Sequence, residues 1–226
     1  MTQFCSNFAR TTQGQGGTDS KTPREKTAVT KMKLIVMTKP SFFVEEDKIL
    51  ATLFEEGMES LHLNKPGSEP VYSERLLTLL PDDYYRHITV HNHFYLKEEY
   101  GLRGIHLDNV GMELPYGYKG RVSCTCTNAE EVRLARKRAD YVFLQTGMGG
   151  GDAAALRKIV AQDPSVANRH VYALGGVNAD NIRMMRDMGF GGVVVCSDLW
   201  DRFNIQQGTD YKDLIVHFLK LQKAAS

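Results

Sequence analysis

The stretch VYALGGVNADNIRMMRDMGFGGVVVCS, from Val171 to Ser197, decides the fold. It opens on a short apolar run, Val171–Gly175, and breaks at Gly175-Gly176, where the backbone can turn sharply or come close to a ligand. Asn178 then stands before a helical pattern over Ala179–Met188 in the manner of an N-cap, and Gly189 ends that pattern as a C-cap glycine does. A second apolar run, Gly192–Ser197, follows. Strand, helix and strand in this order form a crossover unit that joins parallel neighbours.

Outward from this unit the same alternation fills the chain from Lys33 onward. Further strand patterns lie at Leu34–Thr38, Ser60–Asn64, Ile88–Asn92, Gly104–Asp108, Arg121–Cys126 and Tyr141–Thr146. Their apolar, β-branched composition suits strands covered on both faces. Helical patterns lie between them. Glu45–Glu56 aligns Ile49, Leu50 and Leu53, and Ser73–Leu80 is a second such stretch. Asn128 caps Ala129–Arg138, with Glu131 placed as in a capping box, and Tyr211–Gln222 closes the chain. Eight such units give a closed barrel or an open doubly wound sheet. The first turn reads Thr38-Lys39-Pro40-Ser41, which is no GxGxxG, so a dinucleotide-binding sheet is disfavoured. The expected fold is a single (β/α)8 barrel spanning 32–226.

Composition agrees with one soluble domain. The chain has 226 residues, 42% hydrophobic and 24% charged, with a formal charge of +1. That balance recommends neither nucleic acid nor a membrane as partner, and no apolar run approaches the ~20 residues that span a bilayer. Cys5, Cys124, Cys126 and Cys196 show neither disulfide nor zinc spacing, so a reducing cytoplasm is expected. Residues 1–31 are rich in Thr, Gln, Gly, Ser and Lys and have no usable period. They are expected to form a disordered extension or to follow from a misassigned start codon, since Met32 directly precedes the first strand. A basic targeting presequence is the alternative, given Arg10, Lys21, Arg24 and Lys26. The sequence leaves a homodimer open.

In such barrels the site is built at the C-terminal strand ends. In chain order these ends carry Lys39; His62, Asn64 and Lys65; His91, Asn92 and His93; and His106, Asp108 and Asn109. Then come Ser123, Thr125 and Thr127; Gln145 and Thr146; Gly175 and Gly176; and Cys196, Ser197 and Asp198. Any one could be polar because strand ends meet solvent, but together they favour a site. Gly175 and Gly176, with Cys196 and Ser197 on the next strand, form a candidate phosphate cup, because loops after strands seven and eight commonly bind phosphate. His91 and His93, two apart, could share a strand face and hold a transition metal with His106 or Asp108 as third ligand. Cys124 and Cys126 share a face with Val122 and are expected to pack between barrel and helices. The glycine-rich run from Gln145 to Asp152 reads as a lid, an anion loop or a plain connector; it lacks the Lys and Ser/Thr of a P-loop. Arg133, Arg136, Lys137 and Arg138 read as a solvated helix face.

The chain resembles the thiamine phosphate synthase/thiazole tautomerase family of barrels over almost all of 33–226. The segments that carry the likeness are Gly104-Ile-His-Leu-Asp108, Val122-Ser-Cys-Thr-Cys126 with Glu130-Glu131, Asp140-Tyr-Val-Phe-Leu144, Ala173-Leu-Gly-Gly-Val177 and Gly192-Val-Val-Val-Cys-Ser197. The resemblance implies that a pyrimidine diphosphate is joined to a thiazole phosphate, releasing pyrophosphate with Mg²⁺. It implies that Gly175, Gly176, Cys196 and Ser197 hold the thiazole phosphate. If the chain is a synthase of this kind, Lys65 and Lys39 are expected to meet the pyrophosphate, His62 or His91 to serve in acid–base work with Ser123 as a further catalytic candidate, Asn64, Thr125 and Thr146 to contact substrate, and Asn92 and Asp108 to sit near any Mg²⁺. The chain departs from the family pattern at several points. His62-Leu63-Asn64-Lys65-Pro66 replaces Gln-x-Arg-Glu-Lys, His91-Asn92 replaces Asn-Asp, and Thr127 stands where a tautomerase carries His. The loop after strand six lacks the expected Thr and Lys. A tautomerase-type isomerase, a non-catalytic phosphate-metabolite binder, and another phosphate-binding isomerase or aldolase remain alternatives.

Overall fold

The computed structural model of the protein describes residues 31–146, 152–204, 206, 208 and 210–226. The expected N-terminal extension, but for Lys31, and the glycine run Gly147–Gly151 lie outside the described residues. Eight parallel strands form the centre: β1 (Lys33–Met37), β2 (Leu61–Leu63), β3 (Ile88–Val90), β4 (Gly104–Leu107), β5 (Arg121–Cys126), β6 (Tyr141–Gln145), β7 (Val171–Leu174) and β8 (Gly192–Val195). Each pairs with its successor, and β8 returns to β1 with Val194 opposite Ile35. The sheet therefore closes, and the fold is a (β/α)8 barrel.

The helices are α1 (Glu46–Glu55), α2 (Pro70–Leu79), α3 (Leu96–Glu99), α4 (Ala129–Ala135), α5 (Ala153–Gln162), α6 (Ile182–Asp187), α7 (Ser197–Trp200) and α8 (Lys212–Ala225). No helix joins β4 to β5; that connection is a turn-rich loop containing Pro115 and Gly117, whose φ is 73°. Among the described residues no helix is long and apolar enough to cross a membrane.

Side chains alternate across each strand. Outward-facing Val36, Leu61, Leu63, Ile105, Leu107, Val142, Val193 and Val195 pack under the helices in one continuous buried shell. Cys124 and Cys126 belong to that shell, as expected, and are free thiols. Inward-facing Ile35, Met37, Tyr141, Phe143, Tyr172 and Val194 form a second cluster inside the barrel. Trp200 closes the shell at α7, its indole N–H donating to Met37 O at 2.7 Å, so the buried ring leaves no donor unpaired.

Local sequence signals set most helix ends. Gly57 (φ 89°) and Gly189 (φ 95°) take the left-handed turn that stops α1 and α6. In α6, Phe190 N–H reaches Met185 O at 3.2 Å and Gly189 N–H reaches Arg186 O at 2.8 Å, the paired bonds of a Schellman stop. Asn128 caps α4 through Glu131 N–H at 2.9 Å. The return arm of that box lands one residue early, because Glu131 accepts from Thr127 N–H at 2.7 Å. The helix expected from Ala179 begins at Ile182 instead. Asn178 accepts from the N–H groups of Asp180 and Asn181, at 3.0 and 3.1 Å, and so holds a turn where the first helical turn was expected.

Candidate active site at the C-terminal mouth of the barrel

The glycine turn after β7 is held open by two asparagines. Gly175 and Gly176 have φ of 108° and 62°, a conformation side chains strain to adopt. Asn181 donates to Gly176 O at 2.7 Å and accepts from Asn178 N–H at 2.9 Å. Gly176 is thereby fixed and exposed at the mouth. Beside it, β8 is followed by Cys196, whose thiol donates to Thr38 O on the first strand's exit at 3.5 Å. Burial, then Asp201, pushes the Cys196 thiol up to about 11, so at neutral pH it is a protonated packing group. Ser197 is exposed next to it, while Asp198 turns away to His217 at 2.6 Å.

The barrel interior holds three histidines that enter one after another from β2, β3 and β4. His62 and His106 are fully buried and His91 nearly so. His62 Nδ1 lies 2.9 Å from His91 Nε2, and His62 Nε2 lies 2.8 Å from the Tyr141 hydroxyl. His91 Nδ1 lies 3.0 Å from Asp108 Oδ1. Burial, the largest cause in each case, lowers His91 and holds His62 and His106 well below the ordinary histidine value; Asp108 offsets part of it at His91. All three are neutral at pH 7, which fixes the direction of every bond. The Asp108 carboxylate only accepts, so His91 carries its proton on Nδ1 and offers Nε2 as acceptor. His62 must then donate from Nδ1 and accept from Tyr141 on Nε2. The result is a directed chain, Tyr141 to His62 to His91 to Asp108, that ends on a carboxylate 47% exposed at the mouth.

His106 completes the layer through Ser123 at 2.7 Å and Thr125 at 2.8 Å. Ser123 also donates to Ile105 O at 3.4 Å, so it accepts from His106 Nδ1–H while Thr125 donates to Nε2. The three histidines bring one ring nitrogen each within 4.8 Å of the others. They do not fit a shared metal. The rings of His91 and His106 are stacked at 4.0 Å and 22°, so their in-plane lone pairs run side by side instead of converging. Every ring nitrogen also has a hydrogen-bond partner already. The expected pairing of His91 with His93 on one strand face is not formed: β3 stops at Val90, and His93 (φ 54°) leaves the barrel to reach Ser68 O at 3.0 Å.

Lys65 is the residue whose surroundings differ most from the sequence expectation. Its ammonium is buried, 2.6 Å from Glu46 Oε1 and 3.1 Å from Ser41 O, and sits 4.4 Å over the Phe42 ring. Burial lowers the lysine and raises the glutamate, and each partner opposes the other's shift. Asn64 is clamped to Thr38, whose hydroxyl donates to Asn64 O at 3.1 Å and accepts from its N–H at 3.0 Å. Thr146 is buried, donating to Asp152 O at 3.1 Å. Lys39 remains half-buried at the mouth, 5.6 Å over Phe43.

No protein-family model matches the chain, and no curated protein matches it. Solved structures do. A thiamine phosphate pyrophosphorylase from Bacteroides thetaiotaomicron is 49% identical, covering 86% of this chain and 98% of that one, with a TM-score of 0.77. The chain belongs to the thiamine phosphate synthase (pyrophosphorylase) family. A thiamine phosphate pyrophosphorylase from Pyrococcus furiosus aligns at 21% identity over 87% of this chain and 96% of that one, TM-score 0.64. A 3-hexulose-6-phosphate synthase aligns at 14% identity over 86% of this chain and 100% of that one, TM-score 0.59, showing a shared fold.

For this member of the thiamine phosphate synthase family, the mouth gathers Lys39, Asp108, Gly176 and Ser197, while His62, His91, Ser123 and Thr125 form the floor beneath them. Sequence reasoning missed Tyr141 and Glu46. Counting back in twos from Gln145 would have placed Tyr141 inside the barrel. Nothing local marks Glu46 as the partner of a lysine 19 residues on. Mg²⁺ takes oxygen ligands, commonly one or two carboxylates with substrate phosphates. Asp108 fits as one such ligand through Oδ2, its Oδ1 being held by His91. Asn92 does not fit as placed, because its amide oxygen accepts from Lys65 N–H at 3.0 Å.

Proposed function

We propose that the chain is a thiamine phosphate synthase, coupling a hydroxymethylpyrimidine diphosphate to a thiazole phosphate with release of pyrophosphate in the cytoplasm. The observation that carries the reading is the near full-length likeness to a pyrophosphorylase at 49% identity. The left-handed Gly175-Gly176 turn beside Ser197 adds a place for the thiazole phosphate. Departure of pyrophosphate leaves a resonance-stabilised pyrimidine cation, which the thiazole nitrogen attacks. The protein then has to orient two substrates and favour charge separation. Three neutral histidines beneath the mouth keep imidazolium charge away from that cation, and the Asp108 carboxylate favours it. Lys39 is the described cation at the mouth suited to the diphosphate, with Lys65 committed to Glu46. Mg²⁺ on Asp108 and the diphosphate oxygens would supply charge neutralisation at the leaving group.

A tautomerase-type isomerase is the second reading. The chain ending at Asp108 favours it, because a carboxylate backed by neutral histidines can take and return a proton. The full-length protein should be incubated with both substrates and Mg²⁺ and assayed for thiamine phosphate. Product that EDTA removes supports the synthase. Absence of product together with thiazole proton exchange in D₂O supports the isomerase. Thiazole phosphate binding with neither reaction indicates a non-catalytic binder.

A further inference from the structure

The opposite end of the barrel holds a cavity of ≈ 730 Å³. Its wall is made where the strands begin: Lys33 and Arg121 are the first residues of β1 and β5, and Arg103, Asp140 and His170 directly precede β4, β6 and β7. Lys33 and Arg121 lie two residues before inward-facing Ile35 and Ser123, so strand alternation aims both side chains into the barrel end. Lys31 and Arg169 also line the space, giving five cations against Glu59 and Asp140.

The two acids cancel only part of that charge: Glu59 is paired with Lys31 at 2.9 Å, and Asp140 accepts from Val122 N–H at 2.9 Å, so five cations less two carboxylates leave an excess of three positive charges. Lys33 and Arg121 make no ion pair or side-chain hydrogen bond among the described residues. Arg103 has a single long contact, to Glu59 O at 3.5 Å, and Arg169 donates to His170 at 2.9 Å. Like charges held around one concave space repel each other, and a multiply charged anion relieves that repulsion while gaining several donors at once. Guanidinium groups favour phosphate oxygens because their planar fork matches them.

We infer that this cavity is a second anion site that takes an oligophosphate, either inorganic or carried by a nucleotide. It is separate from the mouth, and it does not depend on the reaction assigned there. The test is calorimetric titration of the full chain with inorganic tripolyphosphate and, separately, with ATP. It is repeated on Lys33→Gln/Arg121→Gln, which removes both charges and keeps the first two methylenes of each side chain, and on Gly176→Asp, which alters only the mouth. Circular dichroism checks that each variant is folded; should the double variant not fold, Arg169→Gln takes its place. The inference predicts binding that Gly176→Asp leaves intact and that the double variant weakens by about tenfold or more at low salt. Tighter binding of ATP than of tripolyphosphate would identify a nucleotide as the source, and the reverse a free oligophosphate. No binding, or binding that the double variant keeps, whether or not Gly176→Asp loses it, overturns the inference.

Discussion

At the scale of single residues, the Lys65–Glu46 pair shows how the mouth is braced. The ammonium ties the loop after β2 to Ser41 in the loop after β1 and to Glu46, the first residue of α1, and both charges are out of water. Removing one partner strands the other, which typically costs about 3–5 kcal/mol. Lys65→Ala should therefore destabilise the protein by that order in urea denaturation. Lys65→Met with Glu46→Leu should recover most of the loss, since no buried charge is left alone. Gly176 makes a different prediction. A carboxylate in Gly176→Asp would face the phosphate in an already left-handed turn, so thiazole phosphate binding measured by calorimetry should fall at least about tenfold; unchanged affinity would move the phosphate elsewhere. The sequence placed Gly176 at this turn because the glycine pair is a local signal. It could not orient Lys65, because the direction of that side chain depends on a partner in another loop.

At the scale of elements, local chemistry was readable wherever one short motif sets the outcome. Gly189 stops α6 and Asn128 starts α4, and both were visible in sequence. Asn128→Ala should cost about 1 kcal/mol in equilibrium unfolding. The start of α6 was misplaced by three residues because Asn178 has two uses: a cap, or the turn that it makes with Asn181 to steady the glycines. The histidine layer from β2, β3 and β4 was visible as residues but not as a network, since each ring's partner lies on a different strand or at its exit: His62 meets Tyr141 of β6, His91 meets Asp108 after β4, and His106 meets Ser123 and Thr125 of β5. It carries a pH signature. Burial depresses all three histidines in the folded state, while the unfolded chain takes up protons near pH ~6.5. Their neutral burial is thus compatible with full stability above that pH, and stability falls as pH drops below it toward the lowered folded values. Each histidine contributes a slope of up to about 1.4 kcal/mol per pH unit. Thermal midpoints should fall steeply between pH 7 and pH 5, and less steeply in His62→Gln; an equal slope in the two proteins would contradict the assignment.

At the scale of the molecule, the eightfold alternation was legible because both faces of every strand are covered, which leaves nearly unbroken apolar runs separated by helical patterns. What the pattern does not state is the depth of each polar group. Ser123 and Thr125 look like mouth residues in sequence but support His106 from within, and the cationic ring at the far end is spread over the starts of several strands. The closed barrel brings both sets together, and it separates the mouth from the far cavity by the histidine floor. The central claim, that the β7–β8 mouth is where thiazole phosphate binds, is tested most directly by a crystal structure of the full chain soaked with thiazole phosphate. The account predicts phosphate density against Gly176 and Ser197, with the thiazole ring above His91 and Asp108. Phosphate density confined to the far cavity, or none at the mouth at saturating ligand, would contradict it.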